Sequence, residues 1–197
     1  MARKFKIFLA LVVIVVAGYA AGSRLGFSAN GIPAEFKEAR TQGAIVAQDI
    51  VNISNGMAGE LEGVSQLERT GNLNEALNRS VDLLKRTQEG KAKALELSAQ
   101  LEKMTGALAS IKTPEARQAA LESIANRLAL IGRLLSYNDY LAQLLGSLNK
   151  RFSGQYIEPN HVTSLIAQIN AEVTAINNFN KQAGQAMDRF DEITTGE

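Results

Sequence analysis

The chain has 197 residues, 46% of them apolar, enough for one compact domain plus an appendage and too rich in core-forming side chains for a disordered tail. Its net charge is +1, but setting aside Arg3, Lys4 and Lys6 at the start leaves 18 of the 21 Lys plus Arg against 20 Asp plus Glu. The remainder is nearly neutral, without the basic stripe that nucleic acid requires, and with no cysteine and a single histidine (His161) it excludes disulfides, thiolate nucleophiles and multi-histidine metal sites.

The first element is "MARKFKIFLALVVIVVAGYAAGSR", a basic start followed by an uncharged run over 7–23. At ~1.5 Å rise per residue the run reaches ~25 Å, near the short limit for a helix that crosses a bilayer. It exceeds the apolar segment of about 7–15 residues in a secretory signal, which favours a retained anchor. The small residues of "AGYAAGS" leave cleavage near Gly22 as the alternative. Three cations precede the run and only Arg24 follows closely, so the positive-inside rule keeps 1–6 in the cytoplasm as a basic tail. The lipid bilayer is then a partner through 7–23, residues 24–32 form a tether, and 33–197 stand outside the cytoplasm. No second run of this length follows, so one crossing at most is expected.

Beyond the tether, each of the three prolines marks a helix start, where the missing N–H costs no hydrogen bond. Pro33 opens "PAEFKEA", Pro114 follows the capping residue Thr113, and Pro159 opens "EPNHVTSL". A fourth start is "TGNLNEAL", where Gly71 closes one helix and Asn72 with Glu75 makes a capping-box-like opening for the next. The expected helices are about 33–70, 73–111, 114–152 and 159–194. Alternating strand patterns are absent.

Each segment carries an apolar stripe spaced three and four apart. The first runs through Phe36, Val46, Ile50, Met57, Leu61 and Val64; the second through Leu77, Val81, Leu84, Ala94, Leu97, Leu101 and Met104. The third reads Leu121, Ile124, Leu128, Ile131, Leu135, Asn138, Leu145, and the fourth Val162, Ile169, Val173, Ile176, Asn180, Ala183, Met187, Phe190. Matched lengths and short connections predict an all-α fold: an N-terminal membrane helix, then an elongated up-down-up-down antiparallel four-helix bundle. A two-helix coiled coil is the weaker alternative, because three separate turns interrupt the pattern. "SNGMAGELEG" over 54–63 is the expected place for a kink or break.

In such a bundle, counting from the turns that share one end brings four polar residues to similar depth: Ser54, Thr87, Asn138 and Glu172, with Tyr137 within reach from the side. They form either a polar rung that fixes register, as a buried asparagine does in coiled coils, or a site for a small polar ligand between helices. Glu172 requires a partner or an outlet to solvent, since an isolated buried carboxylate costs several kcal/mol. Register is the favoured reading.

No phosphate-cradling loop, metal-ligand pair or nucleophile elbow is present, so no cofactor, no metal and no enzyme activity are expected. His161 is read as a solvated residue of a first helical turn. The order of parts (basic start, one span, then an external helical module) resembles the external four-helix sensor domains of bacterial chemoreceptors. The chain departs from them by carrying no second span and no cytoplasmic signalling region, so the resemblance implies an external binding module and not signal transmission. The expected role is binding of a protein partner or a second copy by a tethered bundle. The alternative is a secreted or periplasmic small-ligand carrier released by signal cleavage.

Overall fold

In the computed structural model, residues 32–195 are described. Four long helices account for nearly all of them: α1 (Ala34–Thr70), α2 (Leu73–Ala107), α3 (Pro114–Phe152) and α4 (Pro159–Thr195), with a 3-10 turn at Leu108–Ser110 and no strand among the described residues. The expected tail 1–6, the anchor 7–23 and the tether up to residue 31 lie outside this region. Among the described residues no helix is long and apolar enough to cross a membrane. Ile32, the last residue of the expected tether, is partly buried against the core.

The helix ends follow from local chemistry. Gly71 adopts φ 80° and closes α1, with its N–H bonded to Glu68 O and the Asn72 N–H to Leu67 O at 2.9 Å. Gly154, at φ 79°, closes α3 the same way, with the Gln155 N–H on Lys150 O at 2.9 Å. The two expected N-terminal caps do not form. Thr113 makes no side-chain cap bond, and Asn72 donates instead to the Glu75 carboxylate at 2.9 Å, so the two polar groups satisfy each other rather than the backbone. Helix α2 also ends four residues early. The chain is extended at Ile111 (ψ 117°) and again at Thr113 (ψ 119°), the residue in which the Pro114 ring disfavours helical geometry.

Helix α1 runs unbroken through its glycine-rich stretch. Two of these glycines make room for arginines of α2: a Cβ on Gly56 would lie 3.0 Å from Arg86 Nη1, and one on Gly63 3.2 Å from Arg79 Nη1. Their seven-residue spacing puts both seats on one face of α1, and Arg86 then reaches Glu60 at 3.0 Å.

Consecutive helices are antiparallel, as their cross-links show. Asp49 pairs with Lys93 and Glu60 with Arg86 between α1 and α2. Between α2 and α3, Ser80 bonds Asn149 and Lys91 meets Asp139. Between α3 and α4, Arg189 reaches Glu122 at 2.6 Å and the Ser123 hydroxyl donates to Ala183 O at 2.9 Å. Helices α1 and α4 meet at the end where α1 begins: the Phe36 and Phe190 ring centroids are 5.2 Å apart, and Arg40 grips both oxygens of Asp191 at 2.6 and 2.7 Å. One apolar cluster draws on all four helices, with Phe36, Met57, Leu83, Leu101, Met104, Leu141, Ile169 and Phe190 fully enclosed.

The stripe phase differs from expectation in two places. Val81, Leu121 and Leu128, expected inside, are 41%, 43% and 45% exposed. The inward positions nearby are Ala76, Ser80, Leu83, Thr87 and Gly90 on α2, and Ala120, Ser123, Ile124 and Arg127 on α3. Small side chains and serines there let the helices approach closely, so leucine alone misreads the buried face.

Candidate functional site

All five residues singled out from the sequence are buried: Ser54, Thr87, Tyr137, Asn138 and Glu172. No hydrogen bond joins any two of them. Thr87 donates back to Leu84 O at 2.7 Å, and Asn138 Nδ2 donates to Leu134 O at 2.9 Å, each within its own helix. Helix α1 meets α2 so that Ser54 lies about level with Thr87, judged from the Arg86 seat on Gly56. Asn138 meets α2 one turn farther from the shared turns, at Gly90. Glu172 is lower still: its Oε1 lies 3.5 Å from Arg133 Nη1, five residues before Asn138 on α3, or roughly 7 Å at helical rise. The polar groups form a staggered series along the bundle.

The tightest contact in the series joins Asn138 to Gly90. A Cβ built on Gly90 would lie 2.9 Å from Asn138 Oδ1 and 3.4 Å from Nδ2. A methyl group there would force the Asn138 amide to shift. Asn138 Oδ1 is buried and accepts no hydrogen bond, as is Glu172 Oε2. A buried acceptor left without a donor costs about 1–3 kcal/mol. Tyr137, 5% exposed, holds its phenol proton tightly: burial pushes its pKa up to about 12 from the usual 10.

The sequence reading missed a buried cation. Arg127, 6% exposed and engaged by neighbours, lines a narrow cleft with Ile50 and Val51 of α1, Leu97 of α2, Leu134 of α3 and Asn180 of α4. The signal was available, because Arg127 lies three residues after Ile124 and four before Ile131 on the buried stripe. Ser123 and Ser80, also missed, bond across helices. The cleft holds about 30 Å³, room for roughly two water molecules and for no larger ligand. His161 is exposed in the first turn of α4. Among the described residues no group of three or more His, Asp or Glu side chains is arranged to hold a metal ion.

The described residues form an all-α fold of four long helices around one apolar core. Comparison with known proteins finds no matching family model, no matching curated protein and no matching solved structure.

Proposed function

We propose that the chain is a single-pass, membrane-tethered helical bundle that stands outside the cytoplasm and acts through its surface, by protein interaction. The observation that carries this reading is the pairing of two features. One is the uncharged run over 7–23 behind Arg3, Lys4 and Lys6. The other is a bundle whose interior is occupied by its own side chains, down to the Asn138 amide lying on Gly90. Residues 7–23 are the contact with the bilayer, and the bundle surface is what a partner meets. The small-ligand carrier has less support, since a drug-sized ligand asks for a pocket of roughly 300 Å³ or more and the interior cleft holds about 30 Å³. The five buried polar residues then serve to set which turn of one helix lies beside which turn of the next. No catalytic role is proposed for any side chain.

The test is the fate of the first residues. The full chain carrying a C-terminal tag is expected to remain in alkali-washed membranes at its complete mass, with the bundle open to protease added from outside. A soluble product lacking about the first 22 residues, as signal cleavage would leave, overturns the tether and returns the carrier reading.

A further inference from the structure

Resting on the tethered reading, we propose that the outer face formed by α2 and α3 is where a second copy of this chain docks, side by side and parallel, to make a two-fold dimer. Where these two helices run side by side, three large apolar residues lie exposed on their shoulders: Leu95 on α2, Leu121 and Leu128 on α3, with Leu95 the most exposed at 62%. Leu121, Leu128 and the partly buried Leu135 recur every seven residues, so they share one side of α3. That side faces α2, because Asp139, one turn beyond Leu135, meets Lys91 of α2. The same register puts Leu95 about level with Leu135, so the leucines of the two helices form one patch.

Two considerations select a second copy as the occupant. The size fits a self-association that is weak in solution. From Leu121 to Ala142 is ~30 Å of helix, and two helices are ~20 Å wide, so the face offers about 600 Å² per copy, about 1,200 Å² in the pair. That is the lower bound for a specific interface. Finally, residues 1–31 precede α1 and join it at the end of the bundle where Leu121 lies. Copies held on one membrane by those segments share orientation and a raised effective concentration, which lets a small patch suffice.

The experiment uses the full chain in its membrane and exploits its lack of cysteine. Leu128→Cys, close to the two-fold axis, is expected under mild oxidation to give a disulfide-linked dimer at least about fivefold more abundant than that of Asp188→Cys, exposed on α4. Adding Leu95→Glu and Leu121→Glu, both at exposed positions, is expected to abolish the cross-link with helical content unchanged. Equal cross-linking of the two cysteine variants, a monomeric Leu128→Cys, or its capture by a different polypeptide overturns the proposal. Membrane fractionation of the same samples reads the tether separately. A Leu128→Cys dimer found outside the membrane leaves the docking face standing and removes the tether, and a monomer in washed membranes does the reverse.

Discussion

The seam between α2 and α3 and the seam between α1 and α4 hold the same bundle together by different means. At the first, backbones come close: Gly90 accepts the Asn138 amide, and Ser80 bonds Asn149. At the second, contact is concentrated at one end, in the Phe36–Phe190 ring pair and the Arg40–Asp191 fork, and farther along Ile50 and Val51 border the small cleft. Register between neighbours is thus specified by an interlocking pair of small and polar residues, whereas α1 and α4 are joined by a clasp. A glycine facing an amide has one fitting alignment; leucines facing leucines have several.

The largest effect is expected at the clasp. Phe36→Ala removes a side chain with no exposed surface and should cost about 3–5 kcal/mol in denaturant unfolding. Loss confined to the α1–α4 seam would also show as faster amide exchange in the first turns of α1 than in α2. Uniform exchange across the four helices would erase the distinction between the seams.

Next is the response to alkali. An unfolded Tyr137 ionises near pH 10, whereas the native phenol keeps its proton to about 12, so the unfolded chain binds fewer protons between those values. Stability from this group is complete below about pH 10 and falls as pH rises through 12, by about 2–3 kcal/mol. Tyr137→Phe should flatten that decline in a pH series of unfolding midpoints; an equal decline in the variant would assign it to other groups.

Smaller again is the ionic half of the clasp. Arg40 and Asp191 are part-exposed, at 20% and 31%, so Arg40→Met should cost no more than about 1 kcal/mol, and less in high salt. A cost matching that of Phe36→Ala would mean that charge rather than ring packing closes the seam.

Much of this arrangement was legible in the sequence, for physical reasons that also explain the misses. Three prolines and Gly71 mark the helix boundaries, because ring closure and positive φ act locally and need no tertiary context. Depth counted from the turns picked out Ser54, Thr87, Asn138 and Glu172, with Tyr137 beside them, and the structure buries all five. What counting could not supply was the partner: the Glu172 carboxylate meets Arg133 of α3. Nor could hydrophobicity give the rotation of α3, where Ser123 and Arg127 face inward while Leu121 and Leu128 face out. Close approach of backbones rewards small side chains, and a buried arginine is tolerated once neighbours engage it. Hydropathy scores both as surface.

The most direct test of the idea that buried polar residues set register is a double-mutant cycle on Gly90 and Asn138, read by denaturant unfolding. Gly90→Ala alone should cost about 1–3 kcal/mol through overpacking, whereas in an Asn138→Ala background it should be neutral or slightly stabilising, since alanine is the better helix former. An equal cost of Gly90→Ala in both backgrounds would show that the two side chains do not interlock, and register would have to come from elsewhere.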